Sequence, residues 1–149
     1  MKEYNYSKPS AYFVTICTKD RELYFEKYAK FKEIVNLEWL KIPNGYPGVQ
    51  LSEFIIMPNH IHGILIIVGA TLVVAQNNRA GASPAPTIGE IIGAFKSIYV
   101  NEWLKYIKEN MLDAVGKFWQ RSYYEHIIRD EGSLNRIREY IINNPLRWH

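Results

Sequence analysis

Apolar residues recur at alternate positions in some stretches of the chain and at helical spacings in others, and the two patterns predict its elements. Ala11 to Thr18 (AYFVTICT) is rich in β-branched and aromatic residues and predicts a strand. From Glu26 to Ile42, Phe31, Ile34, Val35, Leu37 and Trp39 fall mainly at helical spacings, and Pro43-Asn44-Gly45 closes the helix. Val49 to Met57 and His60 to Val68 read as two strands joined by a Pro58-Asn59 turn. The second is apolar on both faces apart from its histidines, which predicts cover on both sides. Gln76 to Pro86 has the composition of a flexible loop. Thr87 then caps a helix to about Glu109, carrying Ile88, Ile91, Ile92, Phe95, Ile98 and Trp103. Phe118 to Arg129 reads as a strand, and Ser133 to Asn144 as a helix with a serine cap and a proline stop at Pro145. With Met1 to Ser10 as a loose lead-in, the order is β-α-β-β-α-β plus a terminal helix. That is an α+β, ferredoxin-like plan in one domain, an antiparallel sheet packed on helices. RNA-recognition modules share this layout, so function has to be read from particular residues.

At 149 residues, 48% of them apolar and 22% charged, the chain has the makings of an ordinary soluble globular domain with its own core. No basic-then-apolar leader opens it, and the longest apolar run, Ile61 to Val74, is broken by Gly63, Gly69 and Thr71 and too short to span a bilayer. The single cysteine, Cys17, excludes an intramolecular disulfide and a cysteine-rich zinc site. A cytoplasmic protein is expected. The formal charge of +3 permits a polyanionic partner without requiring one. The excess is local: from Lys117 onward six Lys/Arg face four Asp/Glu, among them Arg121, Arg129, Arg136, Arg138 and Arg147. A solvated face would look the same.

Three features carry chemistry when read together. His60 and His62 lie two apart on a strand, so both project from one face, roughly 6–7 Å apart, and their imidazoles can converge on one cation. The competing reading is a half-buried pair satisfied by hydrogen bonds, which an otherwise apolar strand supplies poorly. Tyr140 and Asn144 lie four apart on the terminal helix and share a face. Asn144 offers a carbonyl oxygen suited to Mg²⁺ or Mn²⁺, and Tyr140 a phenolic oxygen within reach of a metal-bound phosphate. A core tyrosine and a helix-terminal asparagine are the plainer readings of the same two residues. Third, Phe118 to His126 interleaves aromatics with Arg121, a composition that stacks bases and holds phosphates but also fills sheet strands. His126 is a phosphate contact, a proton carrier or a structural histidine. Two His, one Asn and a Tyr together make a phosphoryl-transfer site with a metal as Lewis acid. Tyrosine attack on a phosphodiester preserves the bond energy that water would dissipate, so a cut strand can be rejoined.

The stretches YFVTICT, FIIMPNHIHGILII, GAFKS, FWQRSYYEHIIR and REYIINNPLRW resemble the REP-associated tyrosine transposases, relatives of the smallest single-tyrosine HUH transposases. The five blocks occur in the family's order from about Tyr12 to Trp148. Carried over position by position, the HUH histidines fall on His60 and His62, the catalytic tyrosine on Tyr140, and the amide-bearing third metal ligand on Asn144. The resemblance implies Mg²⁺ or Mn²⁺, single-stranded DNA folded as a palindromic hairpin, and a 5′-phosphotyrosine intermediate with a free 3′-OH. It also implies a nucleoid-associated monomer, whereas some insertion-sequence relatives are dimers that exchange tyrosine helices. Many family members run on past the block that ends here at Trp148. Candidate DNA contacts are Arg121, Tyr123, His126, Arg129, Arg136 and Arg138. Two rivals remain: a non-catalytic nucleic-acid-binding module on the same sheet, and a metal-dependent hydrolase in which water attacks and Tyr140 only packs.

Overall fold

The structure, a computed structural model, describes residues 10–68, 86–113 and 117–147, with side chains as far as Asn144. The loose lead-in, up to residue 9, and the loop from Gln76 to residue 85 lie outside the described residues. The elements run β1 (Ser10–Cys17), a 3₁₀ turn (Lys19–Arg21), α1 (Tyr24–Lys27), α2 (Ala29–Leu40), α3 (Ile42–Gly45), β2 (Val49–Met57) and β3 (His60–Ile67), then α4 (Ile88–Glu109), β4 (Tyr124–Ile128) and α5 (Glu131–Arg147). The sheet order is β2-β3-β1-β4, with every neighbouring pair antiparallel. That is the ferredoxin-like arrangement the element order predicts.

Strand alternation divides the sheet's apolar residues between two cores. One face turns Val14, Ile16, Ile61 and Leu65 toward Trp39 and Val35 of α2 and Ile91, Ile92, Phe95 and Tyr99 of α4. The other turns Ile64 and Ile128 toward Ile141 of α5, with Phe13, Ile55, Leu134 and Ile137 around them. β3 is therefore covered on both sides, as its pattern predicts. Burying the three isoleucines holds α5 on the sheet by roughly 2 kcal/mol each. Arg138 of α5 adds a tether: its Nε donates to Glu53 Oε1 at 2.9 Å and to Ser52 Oγ at 3.1 Å, at a register shift in β2 between Leu51 and Phe54.

Several boundaries differ from the sequence expectation. The helix expected over Glu26–Ile42 is three helices, broken at Tyr28, whose backbone is extended (φ −129°) while its ring stacks on Phe31 at 4.4 Å. Pro43 sits in the first turn of α3 instead of ending a helix, because its fixed φ suits that position. The expected strand Phe118–Arg129 pairs continuously only from Tyr124, since Phe118 and Trp119 are buried as wedges in the aromatic core and keep an isolated bridge just past β1, Thr18 with Trp119. α5 starts at Glu131 because Asp130, not Ser133, accepts the first-turn N–H: Ser133 N–H donates to Asp130 Oδ1 at 2.8 Å. It also continues past Pro145 to Arg147. The missing proline N–H deprives only the carbonyl of Ile141, close to where the ladder runs out anyway. Thr87 caps α4 as expected, in a reciprocal capping box with Glu90.

Gly63, next to His62, is required by close packing: a Cβ there would run into the Trp39 indole. Gly63→Ala should cost about 1–3 kcal/mol of stability through overpacking, read as a lower denaturant midpoint at unchanged m-value.

Candidate active site at the His60–His62 strand

The register sets Cys17 opposite His60 and Thr15 opposite His62 on the face that α5 covers. The two imidazoles approach with ring centroids 4.6 Å apart and planes at 72°, so the strand's alternation does bring them together. His62 is 6% exposed, and burial, then the neighbouring His60, pushes its pKa down to about 4. His60 is lowered in the same direction, by burial first and then by the positive charge of Arg21. Both rings are therefore neutral at physiological pH, the form in which imidazole ligates a cation.

The hydrogen bonds set the tautomers. His60 Nδ1 lies 2.7 Å from Asn59 Oδ1, and a carboxamide oxygen only accepts, so the proton sits on Nδ1 and Nε2 carries the ring's lone pair. Asn59 is held in that orientation by its own Nδ2, which donates to the Arg21 carbonyl at 3.5 Å. His62 Nδ1 meets Thr15 Oγ1 at 2.9 Å, and when Nδ1–H donates to that hydroxyl its Nε2 carries the lone pair. This is the supporting shell that orients metal-binding histidines elsewhere.

α5 brings Tyr140 to the same face. The Tyr140 ring is 5.6 Å from that of His62 and 6.3 Å, edge-on, from Phe13, which itself stacks on His62 at 5.2 Å. Tyr140 nevertheless remains 45% exposed, so a ring anchored against the sheet keeps an open side. Asn144, one turn on, is 8% exposed, and its Nδ2 is buried without a hydrogen-bond partner among the described residues. A buried amide with an unsatisfied end is uncommon, and rotating the amide by a half turn presents the oxygen at the same position. Two neutral imidazoles and an amide with an unsatisfied end are donors of the kind that suit a cation such as Mg²⁺ or Mn²⁺. No group of three or more His, Cys, Asp or Glu among the described residues would do so.

The candidate DNA contacts are scattered. Arg121, Arg129 and Arg136 are exposed. His126 is exposed on β4, opposite Phe13, on the Tyr140 face. Arg136 is held by the Ser133 hydroxyl at 3.0 Å and Arg138 by Glu53. Tyr123 packs against the other core and donates to Glu125 Oε1 at 2.5 Å, and burial first, then that bond, pushes its pKa up to about 12. Sequence reading missed Phe13, Thr15, Asn59 and Arg21. Thr15 and Phe13 could be found only by knowing the β1–β3 register, and Asn59 has the single clue of preceding His60. Two grooves of about 410 Å³ line α4, and neither includes His60, His62 or Tyr140.

The fold is that of the REP-associated tyrosine transposases. A structure of such a transposase bound to a REP hairpin aligns with a TM-score of 0.66 and 17% identity, over 99% of this chain and 74% of that one. A crystal structure from Deinococcus radiodurans R1, of a protein assigned as a transposase, aligns with a TM-score of 0.52 and 20% identity over 96% of both chains. By sequence, the chain belongs to one family with an uncharacterized protein of Haemophilus influenzae Rd, to which it is 38% identical over 99% of its own length and 87% of the relative's. No protein-family model matches the chain. No helix among the described residues is long and apolar enough to cross a membrane.

Proposed function

We propose that the protein is a metal-dependent nuclease and strand transferase acting on single-stranded DNA that folds as a hairpin, with Tyr140 as nucleophile. The observation that carries this reading is the half-exposed Tyr140 ring against His62, itself packed on a second neutral histidine, with the buried Asn144 amide one helical turn beyond the tyrosine lacking a partner. His60, His62 and Asn144 would hold Mg²⁺ or Mn²⁺. Bound there, the cation supplies Lewis acidity that draws charge from the phosphoryl oxygens.

The chain's own residues do the rest. The phenolic oxygen of Tyr140 attacks phosphorus and loses its proton. The P–O3′ bond breaks, its electron pair stays on the 3′ oxygen, and that oxygen takes up a proton. One phosphodiester is exchanged for another, so the step reverses readily and the strand can be resealed or transferred. Phe13 and His62 limit the swing of the tyrosine ring, and the Arg138–Glu53 tether holds the helix that carries it. The packing of Tyr140 on His62 of its own chain supports a tyrosine acting in cis, as in a monomer.

Incubation with labelled hairpin DNA, with and without Mn²⁺, followed by a denaturing protein gel, tests the reading. A metal-dependent covalent DNA–protein band is expected. Cleavage without such a band would replace it with hydrolysis by water, and binding without cleavage would leave a recognition module.

A further inference from the structure

The turn that follows β1 contains a charge the proposed chemistry has not yet used. Asp20 and Arg21 have φ of 56° and 57°, the left-handed region that non-glycine residues enter at a cost. The surroundings hold them there. Thr18, fully buried, donates its N–H to the Asn59 carbonyl at 3.0 Å and its hydroxyl to the Glu22 carbonyl at 2.7 Å. Lys19 N–H donates to the Phe118 carbonyl at 2.8 Å. Asn59 closes the loop: its Nδ2 donates to the Arg21 carbonyl, while its Oδ1 accepts from His60 Nδ1. One side chain thus connects the backbone of Arg21 to the orientation of His60.

The side chain starts close to the site. Arg21 is exposed, forms no ion pair among the described residues, and its carbonyl is tied through the Asn59 amide to His60 Nδ1, within the reach of an arginine side chain. By contrast Arg138, on the nucleophile's helix, is paired with Glu53. A guanidinium without a carboxylate, beside a site suited to a cation, is a place where an anion is drawn between two positive charges.

We propose that Arg21 is a phosphate-binding residue of this site, its guanidinium holding non-bridging oxygens of the phosphodiester presented to Tyr140. The assignment rests on the tyrosine-transferase reading for its substrate. Arg21 stabilises charge on the phosphoryl oxygens directly, beside the cation that His60, His62 and Asn144 would hold.

Arg21→Asn removes the guanidinium yet tolerates left-handed backbone, so the turn is relieved rather than broken. Arg21→Lys keeps the charge but loses the two-pronged donor. Two readouts are taken for each: single-strand affinity against salt in a Tyr140→Phe background, and the rate of covalent adduct formation in the Tyr140 protein. Arg21→Asn should keep its thermal midpoint, weaken DNA binding about tenfold, lower the slope of log affinity against log salt by about 0.7, and slow adduct formation roughly a hundredfold. Arg21→Lys should recover most of the salt slope and only part of the rate. An unchanged affinity and slope in Arg21→Asn would overturn the proposal, as would equal loss in both variants accompanied by a lower thermal midpoint. If no protein forms an adduct, the nucleophile assignment fails, and the binding readout still decides the role of Arg21.

Discussion

Replacing Tyr140 with phenylalanine should abolish the covalent DNA–protein adduct, by on the order of a thousandfold or more, while leaving hairpin binding and metal binding intact. The substitution removes one oxygen and keeps the ring that packs against Phe13 and His62. Because the residue is 45% exposed, loss of the hydroxyl leaves no buried polar partner stranded, and stability should change by less than about 0.5 kcal/mol. The adduct assay, a Mn²⁺ titration and a melting curve on the same preparation separate these effects. Retained cleavage in Tyr140→Phe would make the tyrosine a packing residue and water the attacking group. A lost adduct accompanied by a collapsed melting curve would instead mean that the ring's surroundings had been misread.

The second large effect concerns pH. His62 titrates near 4 in the folded chain against 6.5 when unperturbed, and His60 is shifted the same way. Between those values the unfolded chain takes up a proton that the folded chain refuses, so stability falls as pH drops through the window and is fully present above it. For the metal-free protein the loss should reach about 3 kcal/mol from His62 between pH 6.5 and 4, measured by denaturant unfolding at a series of pH values. The same shift would let the folded site hold a proposed cation in mild acid. Mn²⁺ binding followed by calorimetry should persist well below pH 6.5 and fail as pH approaches 4. A midpoint near 6.5 would mean that the His62 ring is solvated. Thr15→Val, nearly isosteric, removes the hydrogen bond to His62 Nδ1 and should lower Mn²⁺ affinity about tenfold or more without disturbing the strand.

Much of the fold was legible because local patterns and tertiary packing agreed. β1, β2, β3 and α4 each carry their own period, and the apolar character of β3 on both faces announced the two cores that Ile61 and Ile64 enter on opposite sides. The boundaries that slipped did so where long-range packing overrode local signals. Phe118 and Trp119 have strand composition, but filling the aromatic core outweighs pairing with β1. Tyr28 interrupts a helical pattern because its ring finds Phe31. At α5 the serine at position 133 looks like a cap, but Asp130 reaches the same N–H from the start of the turn.

For the site, the sequence alone determined which groups share a face: His60 with His62 by strand alternation, and Tyr140 with Asn144 by helical periodicity, since both relations are local and set by backbone geometry. Only the tertiary structure decided that these two faces meet. The β1–β3 register gave His62 its Thr15 partner, the packing of Ile141 on Ile64 carried Tyr140 to His62, and a turn some forty residues upstream was tied at the Arg21 carbonyl to the asparagine that orients His60. Those relations depend on contacts between residues distant in the chain. Their energy comes from burial and hydrogen bonding that exist only once the sheet has formed, so no local pattern encodes them.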